Sequence, residues 1–98
     1  MWILKTADGA EPALTFRLAP GSIKTAGRAT GAEFIVDAAL VSRLHCRLTA
    51  GASEIELVDL DSTNGTFLNG GRIDKRALVR SGDRIGIGRV ELLVEQGD

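Results

Sequence analysis

Glycine cuts this chain into pieces that suit strands better than helices. Twelve glycines in 98 residues mark turns at Asp8-Gly9, Pro20-Gly21, Ala50-Gly51, Asn69-Gly70-Gly71 and Ser81-Gly82-Asp83, because glycine reaches positive φ without steric cost. Between these marks apolar residues recur at period two. Leu14, Phe16 and Leu18 alternate with Thr15 and Arg17, as in a strand with one wet face. Ile3-Leu4 and Ile55-Glu56-Leu57-Val58 are further short strand candidates. Ile85 and Ile87, then Val90, Leu92 and Val94, alternate on either side of Gly88 and predict a closing hairpin. Many short strands at this spacing predict a β-sandwich or barrel. A chain of 98 residues is expected to form one domain on a single core.

Two stretches resist that simple reading. From Ala32 to Leu48 there is no Gly or Pro, and Phe34, Ala38, Val41, Leu44 and Leu48 fall at helical spacing, which predicts an amphipathic helix. The β-branched Ile35, Val36 and Val41 oppose it only weakly, so on pattern alone an α+β domain stays open. The second stretch is "DLDSTNGTFLNGGRI", residues 59–73, where Asn64-Gly65 and Asn69-Gly70 fall five residues apart. Asn-Gly between apolar runs signals a type I′ hairpin, with φ > 0 at both central residues. If both pairs were hairpin turns, the strand between them would hold only Thr66-Phe67-Leu68, the bottom of the normal range.

Composition excludes several classes. The formal net charge of −1 gives no bulk attraction to nucleic acid or membrane. Nine of the twelve basic residues are Arg; Arg presents a planar fork of donors that suits oxyanions, although a general compositional preference for Arg accounts for the count equally well. Cys46 stands alone, so no internal disulfide forms. Met1-Trp2-Ile3-Leu4 meets Lys5 at once, too early for a signal-peptide core. A cytoplasmic location is expected.

Most catalytic readings fail on inventory. One His and one Cys, adjacent at 45 and 46, cannot supply the four ligands of a structural zinc site, and no metal or other cofactor is expected. Asp59 and Asp61 would share a face if extended, yet such acids more often flank a turn at a strand end. Gly86-Ile87-Gly88 begins like a dinucleotide fingerprint, but no third glycine and no helix follow. Ser42 and His45 are three residues apart and need a specific turn to act as nucleophile and base. A hydrogen-bonded His45 that pins a loop to the core is the simpler reading.

What remains are groups suited to an oxyanion: Gly27-Arg28, then "SRLH" at 42–45, then "STNGTFLNG" at 62–70. In order and spacing they resemble the forkhead-associated (FHA) domain, a reader of phosphothreonine peptides, whose pattern runs Gly-Arg, Ser-x-x-His, then a loop carrying Thr-Asn-Gly. "SGDRIGIG" at 81–88 looks like that family's last hairpin, and residues 2–26 supply its leading strands. The resemblance implies an all-β sandwich of two twisted antiparallel sheets, with ligand loops at one end and residues 1–98 as a single FHA domain. It implies a strand and a recognition loop, rather than a helix, ahead of Ser42. It also implies that Asn69-Gly70 turns the chain while Thr63-Asn64-Gly65 shapes a loop that meets ligand.

By the same resemblance, Arg28 is the main charge partner of the phosphate, Ser42 donates its hydroxyl, and Arg43 adds a further donor. Thr63 lines the phosphothreonine pocket and Asn64 bridges to the peptide backbone. Gly27, His45 and Gly65 hold these loops in shape. Leu40 is the candidate for peptide specificity, since Val41 next to it reads as core. The implied function is recognition of a phosphothreonine-bearing protein, marked by a Ser/Thr kinase, without catalysis and with neither nucleic acid nor membrane as partner. Two rivals remain: an FHA-fold domain that binds an unphosphorylated partner through its surface, and a small hydrolase built on Ser42 and His45.

Overall fold

The computed structural model describes residues 1–97 and places eleven strands among them. They are β1 (Trp2–Lys5), β2 (Thr15–Leu18), β3 (Ile23–Gly27), β4 (Phe34–Ile35), β5 (Cys46–Ala50), β6 (Ile55–Asp59), β7 (Thr66–Leu68), β8 (Gly71–Arg72), β9 (Arg76–Val79), β10 (Arg84–Ile87) and β11 (Val90–Gln96). One sheet has six strands in the order β2-β1-β11-β10-β7-β8, the other five in the order β4-β3-β5-β6-β9. The architecture is the all-β sandwich, with no helix among the described residues.

Alternation along each strand builds the core. Trp2 and Leu4 on β1, Leu48 and Ala50 on β5, Ile85 and Ile87 on β10, and Val90, Leu92 and Val94 on β11 all turn inward and are buried. Their neighbours Arg47, Arg84 and Glu91 stay exposed. The Phe16 and Phe34 rings stack at 4.6 Å between centroids and 10° between planes. They close one side of the sandwich, since β2 and β4 are edge strands of opposite sheets. The Trp2 indole, too polar at Nε1 to be buried alone, donates to Gly51 O at 3.0 Å.

The expected closing hairpin is β10–β11, with Ile87 opposite Val90. The segment with helical spacing is not a helix. Phe34, Val36, Val41 and Leu48 are buried, but Leu44, which a helix would align with them, is 50% exposed. Short apolar anchors in an irregular loop have reproduced a helical period by accident. The ladder between β3 and β4 is parallel and only two residues long, whereas all the other strand pairs are antiparallel.

The two Asn-Gly pairs do different work. Asn69 and Gly70 both have positive φ, 51° and 85°, which makes a type I′ turn between β7 and β8. At the first pair only Gly65 does, at 90°. Asn64-Gly65 therefore ends a loop, and β7 is the three-residue strand Thr66-Phe67-Leu68.

Candidate functional site

Three loops meet beside one another: 28–33 after β3, 36–45 before β5, and 60–65 after β6. Backbone bonds join the first two. Arg28 N–H donates to Ser42 O at 2.9 Å and Ala29 N–H to Arg43 O at 3.0 Å. That approach is possible only because residue 27 is glycine: a Cβ there would lie 2.1 Å from Arg43 O and 3.0 Å from Leu44 Cα. Both obstacles are backbone atoms, which cannot swing aside.

His45 joins the second loop to the third. It is fully buried; its Nδ1 accepts from Ser42 N–H at 3.0 Å and its Nε2 lies 2.8 Å from Gly65 O. A nitrogen that accepts carries no proton, so the proton sits on Nε2 and is donated to the carbonyl. Both nitrogens are thereby taken by backbone groups, and neither is left to draw a proton from Ser42 Oγ. The nucleophile-and-base arrangement does not form.

The third loop is stapled by Asp59 at the end of β6. Its Oδ1 accepts from Ser62 Oγ at 2.5 Å and from Thr66 Oγ1 at 2.7 Å, and its Oδ2 accepts from Ser62 N–H at 3.2 Å. Ser62 Oγ in turn accepts from Gly65 N–H at 3.0 Å. Burial disfavours the Asp59 carboxylate, but the bonds from the Ser62 hydroxyl, the Thr66 hydroxyl and the Ser62 N–H outweigh it and hold the group below its ordinary 3.8. Asp59 is thus the turn-flanking acid, and its would-be catalytic partner Asp61 points to solvent, 3.6 Å from Lys75 Nζ. Cys46 is buried core; burial first, and the Asp59 charge second, push its thiol up to about 12.

An open groove lies where the loops converge, and Arg28, Ser42, Arg43, Thr63 and Asn64 all line it. Arg28 Nε donates to Val41 O at 3.1 Å, which fixes the guanidinium plane and leaves its terminal nitrogens for a ligand. Among the described residues neither Arg28 nor Arg43 is paired with a carboxylate. Ser42 Oγ accepts from Thr63 N–H at 3.0 Å, so its own proton is the part left to give. Asn64 Nδ2 donates to Leu40 O at 3.1 Å, keeping its Oδ1 and second N–H for other partners. Chemically this is a cradle for a small multivalent oxyanion: one oriented cation, a second close by, and a hydroxyl donor, with an amide beside them.

Leu40 also lines the groove. It is 46% exposed while Val41 is 3% exposed, and it holds φ at 69°, a strained value for a leucine. Three lining residues fall outside the sequence-derived site: Val41, which is read as core, and Leu44 and Asp61. Leu44 sits at core spacing, and Asp61 looks like an ordinary turn acid; neither carries a motif signal.

Known proteins place this geometry. The family model described as "FHA domain" matches residues 24–88. The ABC transporter ATP-binding/permease protein Rv1747 of Mycobacterium tuberculosis is 38% identical over 86% of this chain and 10% of its own length. The glycogen accumulation regulator GarA of the same organism is 33% identical over 78% of the chain and 46% of its own. The chain thus spans a tenth and under half the length of these relatives. An FHA domain solved for the structural and functional analysis of phosphothreonine-dependent FHA domain interactions superposes with a TM-score of 0.86. It is 30% identical, with 99% of this chain and 97% of that one covered.

Proposed function

The chain belongs to the forkhead-associated domain family, and on that premise we propose that it binds a phosphothreonine-bearing protein through the groove of Arg28, Ser42, Arg43, Thr63 and Asn64. The observation that carries the reading is the convergence of these five residues on one groove, with the arginines unpaired among the described residues. A phosphothreonine brings about −1.5 to −2 charge and three acceptor oxygens at pH 7. Arg28 supplies the oriented charge and Ser42 the hydroxyl proton, while Arg43 adds a second cation. The carbonyl of Leu40, held by Asn64, fixes the groove wall along which an extended peptide backbone lies.

Little of this has to be built on binding. Arg28 is tethered through Nε and Ser42 through Oγ, so their ordering entropy is spent during folding. A Ser/Thr kinase writes the mark, and the chain reads it without chemistry of its own. Regulation rather than catalysis also fits the name of the GarA relative.

The test is calorimetric titration of a phosphothreonine peptide and its unphosphorylated twin into wild type, Arg28→Ala and Arg28→Lys. A charge-assisted hydrogen bond is worth roughly 1.5–3 kcal/mol, so Arg28→Ala should weaken binding by about tenfold to a hundredfold. Arg28→Lys should rescue only in part, because the fork is lost. Equal curves for wild type and Arg28→Ala, with both folded, would sink the reading. Equal curves for the two peptides would point instead to a partner bound without phosphate.

A further inference from the structure

The strip 40–44 crosses between two different neighbours, and an exposed leucine stands at each end of it. At one end the Leu40 carbonyl is held by Asn64, and the turn after β10 packs on it: a Cβ on Gly88 would lie 3.1 Å from Leu40 C. At the other end Arg43 is bonded to Ala29, and Leu44 Cα lies against Gly27. Ser42 and Arg43 sit between. Of the large apolar side chains that are exposed, Leu40 and Leu44 are the two that line the groove.

Leu44 also lines a second concavity, with Ala29, Thr30, Gly31 and Arg43. Arg43 and Leu44 are shared, so this dimple is continuous with the groove. The space beside residue 31 is open: a Cβ there would meet nothing within 4 Å. The dimple thus sets an exposed leucine beside two small residues, Ala29 and Gly31, and borders the phosphate cradle through Arg43.

From this juxtaposition the geometry points to a second subsite, in which Leu44, Ala29 and Gly31 receive an aliphatic side chain of the bound peptide on the side of the phosphothreonine away from Leu40. The inference rests on the phosphothreonine reading above. Its occupant is part of the same ligand, because Arg43 and Leu44 line both concavities and a peptide held in one continues into the other. Apolar burial sets its strength, each buried methylene giving about a fourfold factor. A half-exposed leucine and a glycine wall cover a ligand side chain only in part, so a preference of about fivefold for Leu, Ile or Val over Ser is expected. An acidic side chain would lose water there and gain nothing from the leucine.

An oriented phosphothreonine library, randomised on both sides of the modified residue, tests this against wild type, Leu44→Ser, Leu40→Ser and Gly31→Glu. Wild type should enrich aliphatic residues at one position whose preference Leu44→Ser abolishes, while Leu40→Ser acts at a different position across the phosphothreonine. Gly31→Glu should turn the Leu44-dependent position toward Lys and Arg. Residue 31 has open space and no positive φ, so this variant keeps its fold and remains informative even if Leu44→Ser does not. If wild type selects phosphothreonine yet neither Leu44→Ser nor Gly31→Glu changes any position, the subsite is wrong and the proposed function stands. If Leu44→Ser and Leu40→Ser act at one and the same position, there is no separate subsite. A wild type that retains no phosphothreonine peptide overturns both.

Discussion

The imidazole of His45 spans two loops of the groove, with its Nε2 2.8 Å from the carbonyl oxygen of Gly65. Through Nδ1 the same ring takes the N–H of Ser42, so one buried side chain sets the distance between Ser42 and the loop that carries Thr63 and Asn64. His45→Leu keeps the apolar volume but strands a backbone donor and a backbone acceptor. Each unsatisfied group costs about 1–3 kcal/mol, so urea unfolding should show a loss of several kcal/mol. Phosphothreonine-peptide affinity should fall as well, measured at a temperature where the variant is still folded. A variant that unfolds like wild type and binds like it would remove His45 from the site's architecture.

Gly27 is the counterpart on the other side of the groove. Gly27→Ala adds one methyl group 2.1 Å from Arg43 O, and relief requires the 42–44 strip to leave β3. The bonds from Arg28 N–H to Ser42 O and from Ala29 N–H to Arg43 O would open with it. Overpacking of this kind costs about 1–3 kcal/mol or more. Amide chemical shifts should move most at residues 27–29 and 42–44, and peptide binding should drop, since Arg28 and Ser42 no longer line one groove together. Unchanged shifts in that strip would contradict the close approach.

How much of this could be read without coordinates differs by element. Alternation at Leu14, Phe16 and Leu18, and on both sides of Gly88, names strands because a pleated surface imposes period two whatever lies opposite. Asn64-Gly65 and Asn69-Gly70 are indistinguishable as dipeptides. Only tertiary context makes one a type I′ turn and the other a loop end, since Asp59 and Ser62 staple residues 59–66 before β7 begins. The helical spacing of Phe34, Ala38, Val41, Leu44 and Leu48 misleads for the opposite reason: irregular loops bury apolar anchors at whatever intervals the loop path requires. Leu44 fits that period and yet stands exposed. The resemblance to the FHA pattern brings Arg28, Ser42, Arg43, Thr63 and Asn64 together, and the three loops place them on one groove. The pattern could not show that Asn64 reaches back to the Leu40 carbonyl, a contact across 24 residues.

Acid should loosen the 59–66 loop first. The Asp59 carboxyl is held below its ordinary 3.8 by hydroxyl and backbone donors that exceed the effect of burial. A depressed carboxylate contributes stability that is complete at neutral pH and is lost as pH falls below about 4, through the folded value. The Asp83 carboxyl is depressed as well, chiefly by the Arg80 N–H and then by the Asn69 amide, and adds to the same window. Asp59→Asn presents amide hydrogens to donors, so it should be less stable than wild type at pH 7. Its unfolding free energy should then fall less steeply between about pH 4 and pH 2. Parallel pH profiles for the two proteins would show that Asp59 ionisation is not linked to folding.

Leu40 offers the most direct handle on which peptides are chosen. It is exposed, lines the groove, and is followed by a buried Val41, so its side chain is available where the loop before Ser42 borders the groove. The loop 38–41 carries no charge. An aspartate of the peptide facing Leu40 would lose hydration without gaining a partner, while an aliphatic side chain there would bury apolar area worth about 1–2 kcal/mol. FHA family members commonly select at the third residue after the phosphothreonine through this loop, which makes that the position to score. Wild type should prefer Leu, Ile or Val there. Leu40→Arg should reverse the preference toward Asp and Glu, since the groove then presents a cation at the same point. The competing influence is Arg43, three residues on and also lining the groove. An oriented library separates the two: acid enrichment by wild type that survives Leu40→Ser but not Arg43→Ala would assign selection at this position to Arg43 and take it from Leu40.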